Sequence, residues 1–250
     1  MEQSANKQDN PAVLSYIALR RSIGILGILF PVVLWLGSLI FSECSGIQGS
    51  ISDYYHTIMR NVFVGVLCAV SLFLFTYRGY DKRDIIAGIL AGIFALGVAF
   101  FPTNLKELIE NCTSEPFMYY DVYAILHLVF AALFFLMLSY ISLFLFTLNE
   151  SEAKKNDGFF SYIFPSVLFN NNYTKDLDQP KKYRNRIYII CGFVMLFSII
   201  AIFIYFQFLK NKYPALVELD PIFWFEALAL WAFGISWLTK GETLFRDKKR

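Results

Sequence analysis

The sequence predicts an all-helical integral membrane protein, a bundle of six transmembrane helices with both termini in the cytoplasm. Three observations predict it. Of the 250 residues, 57% are hydrophobic and only 17% are charged; six apolar stretches recur along the chain; and Lys and Arg concentrate in alternate connecting segments. Average soluble domains are about 45–50% apolar and about 25% charged. A soluble globule of this size cannot cover so much apolar surface, whereas a bilayer can.

Each apolar stretch approaches the roughly 20 residues that a helix needs to cross a bilayer. Charged or turn-forming residues bound every stretch, and the stretches are apolar all round, without the alternation typical of barrel strands. The predicted spans are residues 22–41, 61–80, 85–101, 122–147, 187–209 and 221–238. We therefore predict one membrane domain over residues 1–250, with no separate soluble domain.

The distribution of basic residues gives the direction of the spans. The N-terminus, residues 77–84, residues 149–186 and the C-terminus together hold 18 Lys and Arg, against four in the three opposite loops. Cytoplasmic loops carry the excess of Lys and Arg, so the richer side, with both termini, is predicted to be cytoplasmic. The basic C-terminus is interpreted as an anchor on that side, and no nucleic-acid partner is indicated.

The longest cytoplasmic connection, residues 149–186, contains an aromatic run at 159–169. Nearby lysines favour a segment that lies on the inner membrane surface, and a loop packed beneath the bundle is the alternative. This loop is also the predicted contact for a cytoplasmic partner, if the protein is a scaffold or sensor.

The four cysteines divide between spans and loops. Cys68 and Cys191 fall inside predicted spans and are expected to be small apolar packing residues. Cys44 and Cys112 fall in two different outer loops, where an oxidising exterior permits a disulfide. We predict that bridge.

Small residues on the predicted spans indicate close helix packing. Gly88 and Gly92 form a GxxxG on the third span, and Gly65 and Ala69 repeat the spacing on the second. In lipid, small residues let helix backbones approach. We expect packing within one bundle, and a homo-oligomer through these faces is the alternative.

A polar segment leads into the second span. If it is helical, Asp53, His56 and Arg60 lie on one face, next to Asn61. A carboxylate, an imidazole and a guanidinium together can hold an anion such as a phosphate. The alternative is a hydrogen-bonded helix start, with Ser52 or Asp53 as the cap.

Two further ionisable residues lie inside predicted spans. His127 and Glu226 are each about seven residues, or roughly 10 Å, from the outer ends of the fourth and sixth spans. Ionisable groups at membrane depth usually face a protein interior or a water-filled cavity. Their matching depth predicts that His127 and Glu226 contact each other, as a functional pair or as a structural hydrogen bond.

Three kinds of chemistry fit this polar set. His56, His127 and Glu226 are adequate zinc ligands, with a water in the open position. Alternatively, Asp53, His56, His127 and Glu226 are candidates for general acid–base catalysis on a lipid ester. The third option involves no reaction, because the residues could recognise a lipid headgroup or relay protons or ions. No phosphate-binding glycine loop, nucleotide-binding fingerprint or nucleophile elbow is present in the sequence.

Short motifs in order along the chain carry a family resemblance. They are Ile51-Ser52-Asp53, Phe63-Val64-Gly65, Phe101-Pro102-Thr103, and His127 followed by Ala131, Ala132 and Phe134. This order resembles the DRAM/Frag/Sfk group of six-span proteins and similar uncharacterised bacterial six-span families.

The resemblance implies a role in lipid processes, such as remodelling of glycolipid anchors or lipid distribution between leaflets, with no agreed catalytic mechanism. The site positions that it implies are Ser52, Asp53, Gly65 and His127. We therefore predict a lipid-interacting protein, expected in the bacterial inner membrane, with a polar pocket open to the outer leaflet. The alternatives are a lipid hydrolase or acyltransferase, a pore or transporter, and a scaffold or sensor.

Overall fold

The computed structural model describes residues 11–42, 46–79, 82–103, 121–148 and 179–241. These residues form six α-helices and no strands, which confirms the predicted all-helical class. The helices are α1 (Pro11–Phe41), α2 (Arg60–Thr76), α3 (Lys82–Phe100), α4 (Asp121–Tyr140), α5 (Gln179–Ile204) and α6 (Pro221–Lys240). The predicted Cys44–Cys112 disulfide and the interfacial segment 159–169 lie outside the described residues.

Shorter elements extend or connect these helices. A π-helical turn continues α4 through Ile141–Leu145, and another continues α5 through Tyr205–Leu209. Two 3₁₀ helices, Ser52–His56 and Pro214–Leu219, precede α2 and α6. Helices suit a bilayer because every backbone polar group in hydrocarbon must be satisfied within the segment itself.

Five helices in the described part of the chain are long and apolar enough to cross a membrane. They span Ile17–Phe41, Lys82–Phe100, Asp121–Leu145, Gln179–Leu209 and Pro214–Lys240. The apolar helix α2 is shorter, with 17 residues. Large apolar side chains also face outward from the bundle, among them Phe41, Leu72 and Phe208, which are 76%, 62% and 66% exposed. A surface of this kind is stable in lipid and unfavourable in water, so the chain is an integral membrane protein.

Helix α2 runs between the same two ends of the bundle as α6. At one end Tyr54, which precedes α2, packs against Phe223 of α6, with ring centroids 6.4 Å apart. At the other end Tyr77, directly after α2, packs against Trp237 of α6 at 5.0 Å. We call the first the roof end and the second the basic end. The predicted span 61–80 is longer than α2, because Tyr77 adopts an extended backbone and ends the helix.

Glycines bring two pairs of helices into backbone contact. A Cβ atom on Gly234 of α6 would lie 2.6 Å from the carbonyl oxygen of Gly24 on α1. On α3, a Cβ on Gly88 would lie 2.8 Å from the carbonyl oxygen of Leu74 on α2. The GxxxG face of α3 therefore packs inside the bundle, as expected for close helix approach in lipid. Gly65, in contrast, faces open space, since a Cβ atom there would have no neighbouring atom within 4 Å.

Candidate functional site

Residues 46–59 fold into a buried cover over one end of the bundle, which we call the roof. Within it, Gln48, Tyr54 and Thr57 are at most 1% exposed. The 3₁₀ helix Ser52–His56 forms its centre. Thr57 then takes an extended backbone, with ψ of 176°. The Thr57 hydroxyl donates to the carbonyl of Tyr54 at 2.9 Å and accepts from the backbone N–H of Met59 at 3.1 Å.

The roof is therefore not one continuous helix from Asp53 to Arg60. Asp53 and His56 belong to the 3₁₀ helix and Arg60 begins α2, so the three residues do not share the face of a single helix as predicted. The extended backbone at Thr57 separates the 3₁₀ helix from α2, which begins at Arg60. Side chains three residues apart in a 3₁₀ helix eclipse each other, so Asp53 and His56 still lie on one side.

Thr103, just past the end of α3, joins Asp53 and His56. Its hydroxyl donates to the carboxylate Oδ1 of Asp53 at 3.2 Å. The Nε2 atom of His56 lies 3.0 Å from the carbonyl oxygen of Thr103 and 3.1 Å from its hydroxyl. Because a carbonyl oxygen only accepts, Nε2 carries the proton. Thr103 belongs to one of the short sequence motifs, but it was not among the predicted site residues.

His56 is 3% exposed, and burial is the main cause that lowers its pKa below the ordinary value. The positive charge of Arg60 lowers this pKa further, whereas the hydrogen bond to Thr103 opposes the shift. A neutral imidazole at pH 7 follows, since the ordinary histidine pKa is about 6.5. His56 is thus a hydrogen-bond donor of the roof at neutral pH.

Arg60 lies over an aromatic ring. Its guanidinium carbon is 4.5 Å from the ring centroid of Tyr55, and Nη2 donates to the Tyr55 hydroxyl at 2.9 Å. Cation–π attraction holds the guanidinium over the ring. Asn61, at the start of α2, is exposed. Arg60 and Asn61 thus begin α2 directly after the roof, and the charge of Arg60 acts on His56.

Glu226 of α6 ties the roof to the bundle. Its carboxylate Oε2 accepts a hydrogen bond from the backbone N–H of Ile51 at 2.6 Å, and the N–H of Ser52 also donates to it. The backbone N–H of Phe223, one turn earlier on α6, donates to the carbonyl of Gly49 at 3.2 Å. Glu226 therefore satisfies the amides that begin the 3₁₀ helix, which have no partner within that helix.

His127 of α4 is bound to the end of α3. Its Nδ1 lies 2.6 Å from the carbonyl oxygen of Phe101, so Nδ1 carries the proton. The side chain is 1% exposed, and its Nε2 is buried with no hydrogen-bond partner among the described residues. Nε2 is consequently an acceptor that is buried without a donor among the described residues.

His127 and Glu226 do not form a hydrogen bond with each other, so this prediction is wrong. Each side chain binds backbone groups instead: His127 a carbonyl after α3, and Glu226 two amides of the roof. Helix ends leave backbone groups without intrahelical partners, and these compete successfully for a polar side chain at the same depth. The predicted zinc set of His56, His127 and Glu226 is not assembled either, since no group of three His, Cys, Asp or Glu in the described ranges could hold a metal ion.

A cavity with an empty volume of about 380 Å³, including its mouth, lies beneath the roof. Nine of its lining residues are apolar and two are polar. The apolar walls come from α1, α2, α3, α4, α6 and the roof: Phe30, Ile51, Phe63, Leu67, Val98, Ala131, Phe134, Phe135 and Leu230. The polar residues, Ser52 and Glu226, belong to the contact between the roof and α6. The cavity is therefore apolar with one polar end.

His127 lies next to this cavity. It precedes the lining residue Ala131 by one turn of α4, and its partner Phe101 lies three residues after the lining residue Val98. The sequence predicted a mainly polar pocket at this end of the bundle. The structure instead places the polar residues in the roof and beside the cavity, while phenylalanines from three helices form the walls.

Comparisons of the chain with models of known families, with curated proteins and with solved structures find no match. The resemblance to the DRAM/Frag/Sfk group stays a prediction based on short motifs. Of the positions that it implies, Ser52, Asp53 and His127 lie in or beside the site. Gly65 lies on an exposed part of α2.

Proposed function

We propose that the protein binds a membrane lipid, with an apolar chain of that lipid in the cavity beneath the roof. The cavity carries this proposal. Ligand sites are mostly apolar, with a few polar groups that fix orientation. The nine apolar and two polar residues that line this cavity fit that description.

The polar end of the cavity favours a lipid part that carries hydrogen-bond donors. Ser52 and Glu226 line this end, and His127 lies one turn of α4 before the lining residue Ala131. A hydroxyl or amide near the headgroup could donate to His127 and to the Glu226 carboxylate. An unpaired buried acceptor costs free energy, and a ligand donor would recover it.

The test fills the cavity. In Ala131→Phe, an aromatic ring takes up space that the lipid chain would occupy, whereas Ala18→Phe makes the same change at an exposed position on α1. Lipids that remain after purification in mild detergent are quantified by mass spectrometry. We expect Ala131→Phe to lose most of the bound lipid, and Ala18→Phe to retain the wild-type amount. Equal retention in both variants would contradict the proposal.

We further propose six spans, with both termini and the basic end in the cytoplasm of a bacterial inner membrane. The course of α2 between the two ends supports six spans, since a 17-residue helix covers about 26 Å of a hydrocarbon core about 30 Å thick. The excess of Lys and Arg supports the orientation.

Single-cysteine variants test this orientation, in a background where the native cysteines are replaced by serine. Asn61→Cys lies at the roof end, and Lys182→Cys lies at the start of α5, at the opposite end. A membrane-impermeant thiol reagent added to intact cells should label Asn61→Cys and leave Lys182→Cys unlabelled until the cells are opened. The reverse pattern would place the basic end outside.

A further inference from the structure

One side of the cavity lining is less buried than the rest. Eight of the eleven lining residues are buried. The other three, Ala131 and Phe135 of α4 and Glu226 of α6, are partly exposed. Ala131 and Phe135 are four residues apart and therefore neighbours on one face of α4. The side of the cavity between α4 and α6 is thus the side that reaches the surface of the bundle.

At the level of the cavity, α4 is attached to α3. The ring of Phe130 on α4 stacks on that of Phe101, directly after α3, with centroids 5.5 Å apart and planes inclined by 3°. The ring of Tyr123 lies 6.0 Å from the same Phe101 ring, and His127 binds the Phe101 carbonyl. Offset and stacked aromatic pairs of this kind stabilise a contact beyond the burial of their area, so α4 and α3 form one wall.

Helix α5 is attached to α6 near the roof and to α4 nearer the basic end. Phe197 of α5 packs against Phe225, the residue before Glu226, with ring centroids 6.0 Å apart. Towards the basic end, the Ser139 hydroxyl of α4 donates to the carbonyl of Gly192 on α5 at 2.8 Å. If α5 also packed across the space between α4 and α6 at the level of the cavity, its side chains would line the cavity. None of the lining residues belongs to α5.

The roof closes the end of this space and leaves its side open. Its attachments lie on both walls, since His56 binds Thr103 after α3 and the Ile51 N–H donates to Glu226 of α6. A route along the bundle axis would have to break these hydrogen bonds. A route from the side, past Ala131 and Phe135, would break none of them.

We propose that the space between α4 and the α5–α6 pair is a lateral portal, through which the chain of a lipid enters the cavity from the leaflet at the roof end. This inference rests on the proposed function, because a portal requires that the cavity holds a lipid. The surface beside it is apolar: Leu128, one turn before Ala131, and Leu136, next to Phe135, are 55% and 44% exposed. A chain can therefore pass from the hydrocarbon core into the cavity without meeting water. Glu226 at the rim accepts hydrogen bonds from donors of the entering lipid.

The test measures how fast a bound lipid exchanges. Full-length protein that carries deuterated phosphatidylethanolamine is mixed with an excess of the unlabelled lipid in mild detergent, and loss of the deuterated lipid is followed by native mass spectrometry. Phe135→Ala widens the portal, whereas Phe193→Ala makes the same change at a position on α5 that is 54% exposed. Thr103→Val weakens the attachment of the roof. Phe135→Leu serves as a milder portal variant, in case Phe135→Ala does not fold.

We expect Phe135→Ala to lose the deuterated lipid about tenfold faster than the wild type, which corresponds to a barrier lower by about 1.4 kcal/mol. The amount of lipid bound at equilibrium should change little, because a wider portal speeds entry and exit alike. Phe135→Leu should accelerate the loss in the same direction by a smaller factor. Phe193→Ala should exchange like the wild type, and Thr103→Val should accelerate the loss less than Phe135→Ala does.

Three results would overturn the portal while the proposed function stands. Phe135→Ala could exchange at the wild-type rate, or its faster loss could be matched by an equal drop in the amount bound, as a lost contact alone would give. Thr103→Val could accelerate exchange as much as Phe135→Ala, in which case the lipid passes through the roof. A wild type that retains no deuterated lipid would contradict the proposed function itself, and the portal with it.

Discussion

Removal of the Glu226 carboxylate is the perturbation that the structure specifies most closely. In Glu226→Ala, the backbone N–H groups of Ile51 and Ser52 lose the acceptor that now lies 2.6 Å from the first of them. Each buried donor left unsatisfied costs about 1–3 kcal/mol. The two unsatisfied N–H groups together destabilise the closed conformation of the roof by about 2–4 kcal/mol. This range allows for water that partly reaches this end of the bundle and replaces the lost acceptor.

Hydrogen exchange measures this loss where it occurs. The amides of Ile51 and Ser52 exchange when the roof opens, and about 1.4 kcal/mol corresponds to a tenfold change in an equilibrium constant. We therefore expect exchange of peptides from residues 46–59 to accelerate on the order of 30-fold to 700-fold in Glu226→Ala. Helix α5, which does not contribute to the cavity lining, should exchange at its wild-type rate.

Glu218→Ala is the matched control. Glu218 is exposed in the 3₁₀ helix that precedes α6, so the same substitution there leaves the roof amides paired. Unchanged exchange of the roof peptides in Glu226→Ala would refute the reasoning, because it would mean that Glu226 does not hold the roof. Equal acceleration in both variants would refute it as well, since the effect would then be general.

Two further predictions concern stability in detergent. Because burial lowers the pKa of His56 in the fold, the unfolded chain binds its proton more readily, and stability should fall as pH drops below about 6.5. His56→Gln keeps a donor for Thr103 and should show a smaller loss of melting temperature on acidification; equal losses would contradict this. Gly234→Ala places a Cβ 2.6 Å from the Gly24 carbonyl oxygen and should lower the free energy of unfolding by about 1–3 kcal/mol. Gly65→Ala, with open space around it, should leave the free energy of unfolding unchanged or raise it by up to about 1 kcal/mol in denaturant titrations. A similar loss of stability in Gly234→Ala and Gly65→Ala would contradict the close contact between α1 and α6.

Composition and pattern predicted the helices well, because apolar length is the dominant signal for a segment that crosses lipid. Their ends were less predictable. Helix α1 begins at Pro11, although the predicted span begins at residue 22, because a helix can continue beyond the apolar stretch into water. The charged start of α5, from Gln179, extends its helix in the same way.

The roof illustrates what a sequence pattern leaves undetermined. The three-residue spacing correctly placed Asp53 near His56. It did not reveal that the helix is interrupted at Thr57, where one hydroxyl hydrogen-bonds to Tyr54 on one side and to Met59 on the other. Thr103 is 47 residues from His56, and no local pattern links the two. Because His127 and Glu226 lie at similar depths in their spans, the sequence suggested that they pair with each other. In the structure each side chain instead binds nearby backbone groups that have no partner within their own helix.

No sequence pattern predicted the cavity. Phe30, Phe63, Phe134 and Phe135 line it, yet 27 phenylalanines are distributed along the chain. Whether a phenylalanine fills a core or lines a cavity depends on how helices that are distant in sequence pack together. The polar residues beside the cavity were identifiable, since ionisable groups in an apolar span are rare.

Photocrosslinking with a lipid that carries a diazirine in its acyl chain tests the central claim most directly. The lipid is added to the full-length protein in a bilayer, and the labelled residues are mapped by mass spectrometry. We predict crosslinks to cavity walls such as Phe134, Phe135 and Leu230, reduced in Ala131→Phe and retained in Ala18→Phe. Crosslinks confined to outward-facing residues such as Leu72 and Phe208 would contradict the account, because the lipid would then only surround the bundle.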